Sequence, residues 1–161
     1  MAEILANANA NAIDDDEFDP DNPPPVGTVE HAKWLVHWHF EWENPNQIDK
    51  LADLYHDDIV WEGPGRLVLS RGKQEVLDNY RKLFESAEDM WQTRIEQYAT
   101  PTRVFDDRMG GFKLISSHGF PNHPFPVGTR VLMRIVHNFH IQDGLIIREN
   151  GYEMWLPELA K

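Results

Sequence analysis

The order of hydrophobic periods along this chain predicts an α+β fold: a cone-shaped, curved antiparallel sheet wrapped on three N-terminal helices, with an internal pocket. Two observations carry that prediction. Helical periodicity fills the first half and strand-like alternation the second, with no βαβ repeat. The stretch from Val131 to Trp155 then reads as one long hairpin turning at Asp143-Gly144, with Val131, Met133, Ile135, His137, Phe139 and Ile141 on one face of its first strand.

Thr28 is a good N-cap for a first helix running to about Glu43, which carries Trp34, Leu35, Trp38, Phe40 and Trp42 and is stopped by Asn44-Pro45. A short second helix is expected from Gln47 to Tyr55. A strand over Ile59–Glu62 follows, then a turn at Gly63-Pro64-Gly65 and a pairing strand at Arg66–Leu69. The third helix, about Lys73 to Ser86, presents Val76, Leu77, Tyr80, Leu83 and Phe84 on one face. Strands are then expected at Met90–Tyr98, Arg103–Asp106, Gly111–His118, Thr129–Ile141 and Leu145–Trp155. The loop Gly119–Gly128 holds three prolines and cannot lie inside a sheet.

The chain has 161 residues, 41% of them hydrophobic, enough for one domain with a proper core. Its net charge of −12 is uneven: residues 1–27 hold seven acids and no Lys or Arg. That segment, with its Ala-Asn repeat and Pro23-Pro24-Pro25, reads as an acidic low-complexity N-terminal tail or as an arm packing through Ile4, Leu5, Ile13 and Phe18. Residues 28–161 form the single expected domain. No basic patch points to nucleic acid, and no apolar run is long enough for a membrane span. Zero cysteines exclude disulfides and thiolate chemistry, and with no secretory signal they fit a cytoplasmic location.

Three motifs in order resemble the nuclear-transport-factor-2-like superfamily, in its SnoaL-like and ketosteroid-isomerase-like branch. They are Leu54-Tyr55-His56-Asp57-Asp58 leading to Gly63-Pro64, Ser70-Arg71-Gly72-Lys73 at a helix start, and Phe139-His140-Ile141-Gln142-Asp143-Gly144-Leu145-Ile146 in the hairpin. Polyketide-cyclase and phenazine-biosynthesis relatives belong to the same branch. The resemblance implies the cone fold, a pocket without a cofactor and a homodimer. It places His39 where ketosteroid isomerases carry their oxyanion-binding Tyr, His137 where they carry a protonated Asp, and Tyr80 at a supporting Tyr. Their general-base Asp falls at Gly63, and the vacancy there, beside Trp61, is expected to enlarge the cavity. The phenazine branch has a Glu four residues before Asn-Pro. Glu153 stands four before Pro157, with Leu156 in place of the Asn.

A histidine in the middle of an apolar strand face is either a satisfied core residue or the working group of a lined pocket. For His137 the pocket reading is adopted, since an imidazole with an ordinary pKa of about 6.5 exchanges protons near neutrality. The candidate catalytic set is His137, Glu153 and His39. Trp61, Tyr80, Trp38, Phe84, Phe139, Tyr152 and Arg148 are the candidate substrate-binding residues. His37 and His39, two apart on a helix, do not form a metal pair, and no metal site is expected.

The face of the last strand stays open. A two-residue turn puts Ile146, Arg148, Asn150, Tyr152 and Met154 beside His137. A three-residue turn with a bulge puts Leu145, Ile147, Glu149, Gly151 and Glu153 there, and a bulge at Gly151 would switch the face midway.

These features predict an isomerase, cyclase or dehydratase that works by acid–base chemistry, without a cofactor, on a small, largely apolar cyclic molecule. Alternatives are a non-catalytic binding or dimerisation module and an epoxide-opening hydrolase. The latter would need Glu149 or Glu153 with another inward acid. A homodimer is expected through the outer sheet face, which carries Leu132 and Val136.

Overall fold

A computed structural model describes residues 18–157. Residues 1–17, which hold Ile4, Leu5 and Ile13, lie outside the described residues. Helix α1 spans Val29–Trp42 and is capped by Thr28, whose Oγ1 accepts from the His31 backbone N–H at 3.1 Å. After a 3-10 turn at Ile48–Lys50 comes the one-turn helix α2, Leu51–Leu54. It is shorter than expected because Tyr55 is already extended and begins strand β1, Tyr55–Gly63. Strand β2 is Val68–Arg71, helix α3 is Lys73–Glu85, and strands β3 to β6 are Ala87–Thr100, Arg103–Leu114, Arg130–Gln142 and Leu145–Pro157.

The six strands form one curved, unclosed sheet in the order β2-β1-β6-β5-β4-β3, packed on the helices. The expected cone-shaped α+β fold is present, with one correction: the sheet is mixed, because β1 runs parallel to β6. The hairpin β5–β6 returns its last strand alongside β1 in the same direction, while every other pair is antiparallel. Register shifts in β1–β6, β3–β4 and β5–β6 bend the sheet around the helices. Among the described residues no helix is long and apolar enough to cross a membrane.

The two strands expected at Arg103–Asp106 and Gly111–His118 are one strand. Gly110 and Gly111 do not break it. They let β3 come close: a Cβ on Gly110 would stand 2.9 Å from the Trp91 carbonyl oxygen, and one on Gly111 only 2.7 Å from the Trp91 indole nitrogen. The turn at Asp143-Gly144 has positive φ at both residues (52° and 80°), the conformation that a tight two-residue hairpin needs.

Residues 18–27 lie along the tryptophan stripe of α1. The Trp34 indole donates to the Asp19 carbonyl at 2.8 Å, and Phe18 meets His37 edge-on at 5.5 Å.

A buried ion pair ties the long loop after β4 to the sheet. Arg66 Nε donates to both Glu153 oxygens at 3.0 Å, its Nη1 donates to the Gly119 carbonyl at 2.9 Å, and Trp155 donates to Glu153 at 2.9 Å. Both charged side chains are almost fully buried. Breaking such a pair leaves a lone charge in the core, so Glu153→Ala is expected to cost about 3–5 kcal/mol. The paired replacement Arg66→Met with Glu153→Leu should recover most of that loss. Urea unfolding of the two variants measures both effects.

Candidate active site

Helical spacing puts Leu35, His39 and Glu43 on one stripe of α1, four residues apart, facing the sheet. Strand alternation puts Asp106, Arg108, Gly110 and Phe112 of β4 on the same inner face as His137, Ile135, Met133 and Val131 of β5. On β6 both sequence alternatives are partly realised. Gln142 pairs with Leu145 across a two-residue turn, and Ile146 points inward. A bulge between Ile146 and Arg148 then switches the face. Beyond it Glu149, Gly151 and Glu153 are the inward residues. The bulge sits at the Ile146-Ile147 doublet rather than at Gly151.

These elements converge on Glu149, which is 1% exposed. The Tyr80 hydroxyl of α3 donates to Glu149 Oε1 at 2.7 Å. His39 Nε2 lies 3.6 Å and His137 Nε2 4.0 Å from that oxygen. The single Tyr80 proton is spent on Glu149, so its oxygen faces His39 Nε2, 3.5 Å away, as an acceptor. His39 therefore carries its proton on Nε2, and its Nδ1 accepts from the Tyr55 hydroxyl at 3.1 Å. The chain of groups runs Tyr55, His39, Tyr80, Glu149. His137 stacks nearly parallel on Phe139 at 5.7 Å and meets Phe40 edge-on at 5.0 Å.

Beside this cluster opens a cavity of about 470 Å³ between the end of α1 and strands β3 to β5. Its wall is largely apolar, with Phe84, Trp91, Phe112, Met133 and Ile135, and it carries His137 and Glu43. Glu43 Oε2, His137 Nδ1 and Glu149 Oε2 are buried without a hydrogen-bond partner, where buried polar atoms are ordinarily paired.

Burial dominates the protonation of every member. It lowers the His39 pKa to about 3, helped by the Arg108 cation. It takes His137 well below the usual imidazole range, with His39 and Arg108 adding to the effect. It raises Glu149 to about 8, helped by the Glu43 carboxyl and opposed by the Tyr80 hydrogen bond. It raises Glu43 to about 7, where Arg108 and then Gln92 oppose it. The Tyr55 and Tyr80 phenols are pushed well above their ordinary value. At neutral pH the site is thus a set of neutral imidazoles, a protonated Glu149 and a Glu43 near its midpoint.

Of the expected catalytic residues, His137 and His39 come together here and Glu153 does not. Glu153 lies one step further along the same face, committed to Arg66. Among the expected binding residues, Tyr80 supports Glu149 and Phe84 lines the cavity. Phe139 is core packing under His137. Trp38 packs at a tilt against Trp42, 5.2 Å between ring centres. Trp61 is buried between Tyr80 and the Arg66 guanidinium, outside the cavity wall.

Tyr152 and Arg148 are corrected to the outer face: Tyr152 is 52% exposed, and Arg148 pairs with Glu62. Gly63 leaves no vacancy, because a Cβ there would stand 2.9 Å from the Trp61 ring. Glu43 and the buried Asp106–Arg108 pair (2.6 Å) are not among the residues that the sequence predicts for the site. The spacing of Glu43, one turn after His39, was the available signal. Among the described residues no group of three His, Asp or Glu side chains is placed to hold a metal ion.

These shifts set the pH dependence of stability. Below pH 6.5 the unfolded chain protonates both histidines while the fold keeps them neutral, so acidification removes stability. Above pH 4.5 the unfolded chain ionises both glutamates while the fold holds their protons, to about 7 for Glu43 and about 8 for Glu149, so raising the pH also removes stability. Between these values the two effects cancel. Stability contributed by these groups should be flat from about pH 4.5 to 6.5 and then fall toward pH 8, by up to ~1.4 kcal/mol per pH unit for each glutamate. Denaturant titrations across this range measure it, and Glu149→Gln, which carries no charge, should flatten the decline.

Comparison with solved structures finds the same fold. An LEH-like epoxide hydrolase from M. tuberculosis shares 17% identity at a TM-score of 0.60, over 78% of this chain and 84% of that one. A protein described as a SnoaL-like polyketide cyclase, from Jannaschia sp. CCS1, shares 14% at a TM-score of 0.66, over 82% and 90%. A protein with a ketosteroid isomerase-like fold from Catenulispora acidiphila, in complex with trimethylamine, shares 16% at a TM-score of 0.54, over 73% and 83%. Comparison with curated proteins finds no match. A sequence profile of the SnoaL-like domain matches residues 35–149, from the inward stripe of α1 to Glu149 itself, and the chain belongs to the SnoaL-like domain family.

Proposed function

We propose that this chain is an acid–base enzyme without a cofactor, an isomerase, cyclase or dehydratase acting on a small, largely apolar cyclic molecule with a carbonyl or hydroxyl oxygen. One observation carries the reading: His137, with a buried unpartnered ring nitrogen, stands between an apolar cavity and a buried carboxyl that Tyr80 and His39 hold in place. The substrate oxygen meets His137, whose neutral imidazole bonds to it without carrying charge into the core. Glu149, protonated at neutral pH, takes the place expected for Glu153 as the partner carboxyl. The apolar wall, with Phe84, Trp91 and Phe112, suits a ring.

A second reading, hydrolytic opening of an epoxide, is favoured by the presence of two inward carboxyls, Glu149 and Glu43, on either side of His39. A cyclic epoxide converted to a diol would support it. The same family fold also hosts proteins that only bind.

The test uses 2-tetralone, a flat bicyclic ketone whose α-hydrogens exchange with solvent by proton transfer alone. The protein should speed their replacement by deuterium in D2O, followed by proton NMR. His137→Gln should keep the fold and slow exchange by ~10²-fold or more. If the variant unfolds while activity per folded molecule is unchanged, His137 is a core histidine. If the ketone binds without exchange, the chain is a binding module.

A homodimer through the convex sheet face completes the proposal. Tyr152 pairs in register with Val136, and Tyr98, Phe105 and Met154 stand 62%, 38% and 58% exposed around the Arg134–Asp107 ion pair. Sedimentation at tens of micromolar should show a dimer, and Tyr152→Glu should shift it to monomer. A monomeric wild-type protein contradicts this assembly.

A further inference from the structure

We propose that Glu43, at the C-terminal end of α1, is the general base of the site: it takes a proton from substrate carbon directly, while Glu149 stays protonated behind it. The inference rests on the acid–base reading above and adds a residue and a division of roles to it. Glu43 lines the cavity, and Glu149 does not. The buried Glu43 Oε2 has no hydrogen-bond partner and lies 3.8 Å from His39 Nε2, the nitrogen that also stands 3.6 Å from Glu149 Oε1. One imidazole N–H thus sits between two carboxyls. Two carboxyls so close to one another do not both ionise readily, and their surroundings decide which does so first.

Every element packed around Glu43 bears on that choice. From β4, Arg108 favours its charge, and Asp106, held by Arg108 at 2.6 Å, opposes it. From β3, the Gln92 amide favours the charged form. From β5, His137 stands on the same cavity wall as a neutral group, and from α1 His39 is neutral as well. From β6, Glu149 is held protonated with Tyr80 bonded to it. The cation lies on the Glu43 side, so Glu43 ionises first. Its midpoint near 7 matches what a base working at neutral pH requires.

The step is balanced within the site. The C–H bond next to a substrate carbonyl breaks, and its proton moves to the Glu43 carboxylate. The electron pair shifts onto the carbonyl oxygen, which accepts a hydrogen bond from His137. Glu43 then returns the proton to a different atom of the same molecule, which completes an isomerisation and restores the carboxylate. No oxidant, reductant or further reactant takes part.

The probe is again 2-tetralone in D2O. The wild-type exchange rate should rise with pH through about 7. Glu43→Gln should slow exchange by ~10²-fold or more and remove that rise, while quenching of tryptophan fluorescence shows the ketone still bound. Glu43→Asp, which keeps the charge on a shorter arm, should restore part of the rate together with its pH dependence. Carboxyl 13C NMR supplies a measure independent of turnover: one resonance should titrate near 7 and be absent from whichever Glu43 variant folds. Exchange that persists in Glu43→Gln but fails in His137→Gln overturns the inference and leaves the acid–base reading standing. Exchange lost in Glu43→Gln but kept in His137→Gln supports Glu43 and removes His137 from the chemistry. No exchange by the wild-type protein overturns both.

Discussion

The interior of this cone is organised by one buried carboxyl. Glu149 is buried away from bulk solvent, so it must either shed its charge or be hydrogen-bonded, and the structure does both. Tyr80 bonds to it, His39 stands beside it with its ring held between the Tyr80 and Tyr55 hydroxyls, and the phenols are themselves held neutral by burial next to it. These contacts join α1, α3 and β1 to β6 within the apolar packing. The same helices that close the core also deliver Tyr80, His39 and Tyr55 to a single point.

That arrangement separates two kinds of ionisable pair. Arg66–Glu153 is a closed structural pair, with every partner accounted for, that pins a loop to the sheet. The Glu149 cluster is open. It leaves Glu43 Oε2 and His137 Nδ1 without partners on two residues that line the apolar cavity, and Glu149 Oε2 without one deeper in the core. A network left partly unsatisfied costs stability, and a bound ligand can supply the missing bonds. This contrast, on two carboxyls four residues apart on the same strand face, sets the closed pair of Glu153 apart from the open cluster around Glu149.

Much of the fold was legible because the helical stripes and the strand alternation on β5 are strongly periodic. His137 stands out from its place on the β5 face, and His39 from the resemblance, which sets it at the position of an oxyanion-binding Tyr. The last strand was not settled, for a physical reason. A bulge flips every later side chain to the other face, and the doublet Ile146-Ile147 is compatible with either side, so no alternation rule locates it. The resemblance to phenazine-type relatives then favoured Glu153, whose side chain does point inward but toward Arg66. Gly63 misled in a similar way. The missing side chain implied space, yet the Trp61 ring and Arg66 fill it, which only packing reveals. Glu43 was readable in principle, one helical turn beyond His39, but a charged residue at a helix end ordinarily faces solvent.

The central claim is that Glu149 is a neutral acid at physiological pH. Infrared difference spectroscopy of the wild-type protein against Glu149→Gln reads this directly, through the C=O stretch of a protonated carboxyl. This band should be present at pH 7 in the wild type, be missing from the variant, and titrate away near pH 8. A Glu149 signal already in the carboxylate form at pH 6 would contradict it.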